Sequence, residues 1–152
     1  MKSITILQPW ATLIAIGEKK FETRSWRTHY RGPVAIHAGK KVDRDACQET
    51  EISEALARHG YTADNLPTGA VVAIVQLQGC YRIYNTIDNG VHIVRCPDDQ
   101  YDFDKVEFIH HQERSFGWYD SGRYAWELTI ISRLPEPIPA KGQQGLWNWE
   151  RE

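Results

Sequence analysis

The sequence predicts an α+β fold: a mixed, curved sheet of about five to seven strands closing toward a small barrel, with helices flanking it. Three observations carry that expectation. Short apolar or alternating runs recur along the 152 residues, few stretches have helical spacing, and the connections are long. A chain of this length buries a core without disulfide or metal staples, and residues 1–152 are expected to form one domain.

The elements follow in order. "SITIL" (3–7) is a β-rich run. "QPWATLIAIG" reads as a helix, with Pro9 suited to the first helical position, Leu13 and Ile14 following Trp10 on one face, and Gly17 as its stop. "KKFETRSW" alternates as a strand does, with Lys20, Glu22, Arg24 and Trp26 opposite Phe21, Thr23 and Ser25. After a loop ending in "YRGP", "VAIHA" is another strand, with Val34 and Ile36 opposite Ala35 and His37. "DRDACQETEISEALARHG" (43–60) is the one long helix, from an Asp43 cap to a Gly60 stop, with Ala46, Ile52, Ala55 and Leu56 as its apolar face. Residues 69–84 begin apolar on both faces, as a central or strongly curved strand does. Between 85 and 122 the pattern is weak: "GVHIVRC" and "KVEFIHH" are strand candidates around the acidic loop "CPDDQYDFD". "RYAWELTIISRL" (123–134) is the last clear strand, before a Pro-spaced, Trp-rich end.

Composition narrows the function classes. Cys47, Cys80 and Cys96 are an odd number without C-x-x-C spacing, which argues against a disulfide framework and a zinc knuckle and fits a reducing cytoplasm. They read as buried small hydrophobes. No run approaches a membrane span or a secretory leader, and the expected location is cytoplasmic. His110 and His111 lack zinc-site spacing to any Cys or acid, and P-loop, Rossmann and G-x-S-x-G patterns are missing. No metal or cofactor is expected. A monomer is the default oligomeric state.

Charge is distributed unevenly. From Lys19 to Lys41 stand seven Lys or Arg and a single acid, Glu22, so this segment carries +6 and the rest of the chain −8, giving the net −2. Basic side chains protect strand edges from aggregation, but this segment also interleaves Trp, Tyr and His. It is read as facing an anionic ligand. The acidic remainder favours a defined pocket or groove over general coating of nucleic acid.

Within that segment, period-two alternation places Glu22 and Arg24 on one face, about 7 Å apart at ~3.3 Å per residue. They either make a surface ion pair worth roughly 0–1 kcal/mol or share a ligand, with Glu22 orienting cationic donors. Arginine's planar fork suits bidentate recognition, and lysine acts as a point charge.

The elements "QPWA", "GEKKFETRSW", "YRGPVAIHAGK" and "PIPAKGQQGLWNW", in this order, resemble the ASCH domain family, named for homology to the activating signal cointegrator. Its G-x-K-x-x-E-x-R motif is met by Gly17, Lys19, Glu22 and Arg24, which selects Lys19 over Lys20. The resemblance implies a PUA-like fold. It also implies RNA, modified-nucleoside or transcription-cofactor contexts, with members that bind nucleic acid or act as ribonucleases. Small bacterial members hydrolyse the acetyl amide of N4-acetylcytidine. There the resemblance assigns catalysis to the motif lysine, a threonine in the motif strand and a separate glutamate. Lys19 carries over, Glu22 stands at the threonine position, and Glu107 and Glu113 are candidates for the glutamate.

The expected ligand is therefore RNA, a nucleotide or a modified nucleoside, held by Lys19, Glu22 and Arg24. Alternatives are an acyl-nucleoside hydrolase or ribonuclease using Lys19 and Glu22, and a protein-interaction domain for an acidic peptide. Trp26, Tyr30 and Trp10 are stacking candidates, since an aromatic face contributes ~1–3 kcal/mol per base. Trp10 also has the pattern of a core anchor. Arg31 and Lys40 extend the basic rim, and Lys141 lies in a glycine-bearing loop. His37 is either a cleft residue or a satisfied structural histidine. Trp126, Trp147 and Trp149 are assigned to packing.

Overall fold

The structure, a computed structural model, describes residues 1–96 and 100–151. Its elements are β1 (Lys2–Gln8), α1 (Trp10–Ala15), β2 (Phe21–Arg24), β3 (Gly32–Val42), α2 (Thr50–Arg58), β4 (Ala70–Thr86), β5 (Gly90–Val94), β6 (Val106–Phe108), α3 (His111–Ser115), β7 (Tyr124–Pro139) and β8 (Leu146–Asn148). The fold is α+β, as expected. Among the described residues there are eight strands rather than five to seven; the one not read from sequence is β8, whose three residues are too few to show a period.

The strand order is β2-β7-β4-β3-β1-β8, with β5 and β6 continuing from β4. β1 and β3 run parallel; the other pairs are antiparallel. The long strands β4 and β7 pair with three register shifts, and such bulges increase local twist. The sheet curls toward a barrel and does not close. Its open seam has β2 on one side and β1 on the other. β8 covers the outer edge of β1 only over Lys2–Ile4, so Thr5 onward faces the seam.

The core follows the predicted apolar positions. Leu13 and Ile14 of α1 are buried, as are Ile52, Ala55 and Leu56 of α2, the consecutive residues 34–39 of β3 and residues 70–73 of β4. Each such aliphatic side chain contributes roughly 1.5–3 kcal/mol by burial. Trp126, Trp147 and Trp149 are buried packing residues, and Cys47 and Cys80 are buried free thiols, while Cys96 is half-buried.

Several local expectations are corrected. The 43–60 segment is a 3-10 turn at Ala46–Gln48 followed by α2, because Glu49 takes an extended ψ of 137°. The Asp43 carboxylate accepts from the Ala46 N–H at 3.0 Å, so it caps the turn and not the helix. Gly60 does terminate the segment, with φ of +81°. Pro9 occupies the N-cap, one position before the first helical residue. The motif strand is only Phe21–Arg24, so Lys20 and Trp26 lie outside the alternation. His110 and His111 begin α3 instead of continuing a strand. Of the acidic loop, residues 97–99 lie outside the described residues, and Phe103–Lys105 form a 3-10 turn. No described helix is long and apolar enough to cross a membrane.

Candidate ligand-binding cleft

The site grows from the end of α1. Gly17, at φ of +82°, turns the chain out of the helix. The main-chain N–H groups of Glu18 and Lys19 both return to the Leu13 carbonyl, at 3.0 and 2.9 Å. This tight exit turns Lys19 inward, and it is 2% exposed although it precedes the strand. Lys20, next in sequence, is exposed.

Lys19 Nζ donates to the Phe116 carbonyl at 2.9 Å and stands 3.9 Å from Glu22 Oε1. Glu22 Oε2 accepts from Arg24 Nε at 3.0 Å and lies 2.9 Å from Nη2. Arg24 Nη2 also reaches across the seam to the Thr5 carbonyl, at 3.1 Å. Glu22 and Arg24 thus share a face, as the alternation predicts, and the pair is mostly buried. Burial holds the Lys19 ammonium below the ordinary lysine value of 10.5; the Glu22 and Glu113 carboxylates act against that.

These residues line a cleft of about 520 Å³ with Thr5, Leu7, Trp10, Thr23, Glu49, Trp118 and Arg123. The volume falls within the range of small-molecule sites, roughly 300–1,000 Å³. The cleft wraps the free edge of β2, so side chains from both faces of that strand reach it. The Thr23 hydroxyl accepts from the Trp118 N–H at 3.2 Å. Arg123 donates from Nε to the Trp118 carbonyl at 3.0 Å and from Nη2 to the Thr23 carbonyl at 3.3 Å. Its guanidinium stacks 4.1 Å from the Trp118 ring centre. Trp118 itself is 60% exposed.

Behind Lys19 lies Glu113. One of its oxygens accepts from the Lys20 N–H at 2.8 Å; the other is buried and without a partner among the described residues, as is the Tyr119 hydroxyl. Burial raises the Glu113 carboxyl above the ordinary carboxylate range, with Lys19 opposing. Burial, with Glu113 and Glu22, also pushes the Tyr119 phenol up. Glu113 lines a second hollow of about 590 Å³ that also holds Arg95, Glu107 and Glu127. There Arg95 binds Glu107 at 2.8 Å and Glu127 at 2.6 Å. Of the two glutamates considered from sequence, Glu113 is the one whose charge acts on Lys19.

The structure therefore brings Lys19, Glu22, Arg24 and Trp10 to one cleft. The remaining sequence candidates do not line it. Trp26 packs edge-on against Trp126, with ring centres 4.8 Å apart. The Tyr30 hydroxyl donates to the Pro33 carbonyl at 2.8 Å, and Arg31 donates to the Thr28 and Tyr30 carbonyls at 3.0 and 2.8 Å. His37 is a satisfied structural histidine: Nε2 is 2.7 Å from the Ala140 carbonyl and Nδ1 is 3.2 Å from the Thr5 hydroxyl. Lys40 and Lys141 are exposed elsewhere. Thr23, Trp118 and Arg123 were not selected from sequence. Thr23 carries a motif-strand signal; Trp118 and Arg123 carry none, because they arrive from about a hundred residues away.

The ASCH domain family model matches residues 4–137, nearly the whole chain and all of the lining residues. The chain belongs to the ASCH domain family. Lys19, Glu22 and Arg24, whose contacts are given above, lie within the matched residues. A search of curated proteins finds no match to the chain.

Proposed function

We propose that this ASCH domain binds one nucleotide of single-stranded RNA, or a modified nucleoside, in the cleft at the β1–β2 seam. One observation carries the reading. Buried Lys19 and Glu22 and half-buried Arg24 cluster in a cleft that also presents the rings of Trp10 and Trp118. A base offers a flat apolar face together with donors and acceptors along its edge, and this cleft has counterparts for both. Lys19 and Arg24 supply donors and Glu22 an acceptor. A volume of about 520 Å³ suits a single nucleotide and not a duplex. Titrating ribonucleosides and short oligoribonucleotides while following Trp fluorescence tests this. Saturable quenching that is lost in Lys19→Ala is expected; no binding at millimolar nucleoside or oligomer refutes it.

A second reading, hydrolysis of an acylated nucleoside, is favoured by Thr23. The sequence replaces the relatives' catalytic threonine with Glu22, yet Thr23 places a hydroxyl in the same cleft, one residue on. Lys19, its proton affinity lowered by burial, stands with it in the cleft as a base, and Glu113, which lines the second hollow behind Lys19, acts on that lysine through its charge. In such a reaction water adds to the amide carbonyl, the C–N bond breaks, and the amine leaves with a proton. Incubation with N4-acetylcytidine, beside a Lys19→Ala control, decides the matter. Absence of cytidine and acetate excludes this reaction without touching the binding reading.

A further inference from the structure

We infer that Arg24 and Arg123 together form a phosphoryl subsite in the cleft, taking the negative charge of one nucleotide's phosphate. The inference rests on the nucleotide reading above and assigns the part of the ligand that the motif alone does not address.

Both guanidinium groups line the same cleft. They lie side by side in the fold, since Arg24 ends β2 and pairs with Tyr124, the first residue of β7, which Arg123 immediately precedes. Each is fixed in the same manner. Arg24 uses Nε on Glu22 and Nη2 on the Thr5 carbonyl. Arg123 uses Nε on the Trp118 carbonyl and Nη2 on the Thr23 carbonyl. Among the described residues, neither Nη1 carries a hydrogen bond. Two held forks with spare donors match the oxygens of a phosphoryl group, which arginine binds through paired N–H groups.

Electrostatics agree. Burial disfavours the Arg123 cation, and the positive charge of Arg24 adds to that, against Asp120 and Glu22. An anion between the two guanidiniums relieves both effects. The ionic side chains lining the cleft are Lys19, Arg24 and Arg123 against Glu22 and Glu49, a net charge of +1. That balances one singly charged phosphodiester. Arg31 and Lys40, the basic rim expected from sequence, do not line the cleft, and Arg31 already donates to two main-chain carbonyls.

The test uses the full chain and three probes for each base: the ribonucleoside, its 5′-monophosphate and the matching dinucleoside monophosphate. The wild-type protein is expected to bind a phosphate-bearing probe at least about ten-fold tighter than the nucleoside, as charge-assisted hydrogen bonds imply. That affinity, unlike the nucleoside's, should weaken as salt is raised, because salt screens the attraction between the phosphate and the guanidiniums. Arg123→Gln should bring nucleotide and nucleoside affinities together. A dinucleoside monophosphate that binds as tightly as the 5′-monophosphate identifies an internal phosphate; preference for the 5′-monophosphate identifies a terminal one. Equal wild-type affinity for nucleoside and both nucleotides overturns the subsite and leaves the base reading standing. Failure of all three probes to bind overturns the reading beneath it. The wild-type comparison decides even if the Arg123 variant does not fold, and Arg123→Lys, which keeps the charge without the fork, is expected to recover only part of the phosphate preference.

Discussion

Lys19 Nζ donates to the main-chain oxygen of Phe116 at 2.9 Å, joining the motif to a segment 97 residues away. Through this bond the ammonium holds the loop after α3 against β2. Loss of the ammonium leaves a buried carbonyl without its donor, which costs about 1–3 kcal/mol. Relief of the cost of burying a charge offsets part of it. Lys19→Met is therefore expected to change unfolding free energy by less than about 2 kcal/mol while lowering nucleotide affinity at least ten-fold. The folded chain releases the Lys19 proton at lower pH than the unfolded chain, whose lysine titrates near 10.5. In the window between those values the unfolded state holds more protons, so stability rises with pH. Urea unfolding of wild type and Lys19→Met from pH 7 to 10.5 should show wild type gaining on the variant; a constant difference refutes the burial argument.

Glu113 gives the opposite slope. Its carboxyl is raised above 4.5 by burial, so the folded state holds the proton over a range where the unfolded state has released it. Its contribution to stability is fully present below about pH 4 and falls as pH rises through the raised value. Glu113→Gln keeps an acceptor for the Lys20 N–H and removes the buried charge. The variant should be more stable than wild type at pH 7 and equal to it below pH 4, by thermal unfolding. A variant less stable at pH 7 would show that the attraction to Lys19 outweighs burial.

The two cleft tryptophans should separate binding from folding. Trp118 is 60% exposed, whereas Trp10 packs against two core clusters. Trp118→Ala is expected to cost ~1–3 kcal/mol of nucleotide affinity with little change in Tm. Trp10→Ala should lower stability by ~3 kcal/mol or more. Calorimetric titration and thermal melts read both; unchanged affinity in Trp118→Ala removes it from the site.

Arg24→Lys retains a positive charge and loses the fork. One ammonium cannot reproduce the Nε and Nη2 contacts to Glu22 together with the reach to Thr5. A stability loss of about 1–2 kcal/mol is expected, with a drop in nucleotide affinity. Full retention of both would assign the pair to the surface class of weak salt bridges.

A Cβ built on Gly142 would lie 2.7 Å from His37 Cε1 and 2.7 Å from Thr5 Oγ1. His37 and Thr5 are cross-strand partners, and the Trp147 indole N–H donates to the Thr5 hydroxyl at 3.2 Å. Gly142→Ala should therefore cost about 1–3 kcal/mol by overpacking, seen as a lowered urea midpoint. No shift would mean that this segment is not packed against β1 and β3.

Sequence patterning made some of this legible and hid the rest for physical reasons. β1, β3 and β4 bury most of their length, and their apolar runs show it. The break at Glu49 has no Gly or Pro to announce it, and its extended ψ of 137° is open to any residue, so it leaves no mark in the sequence. α3 has five residues and no buried face, so it leaves no period to read. At the site, the motif and alternation found Lys19, Glu22 and Arg24. Proximity in sequence wrongly suggested Tyr30, Arg31 and Lys40 as their neighbours. β2 ends at Arg24, and the chain beyond it bends back to its own carbonyls. Arg123 and Trp118 reach the cleft through tertiary pairing with β2, which no local period records.

The seam between β1 and β2 is bridged by a guanidinium, where a closed barrel would have a ladder of main-chain bonds. A ladder fixes the spacing of its strands at one value. Side chains that span a gap set its width by their length and rotamer. At this seam that side chain is Arg24, held by Glu22 on β2 and by the Thr5 carbonyl on β1, so the width of the opening follows the reach of one residue.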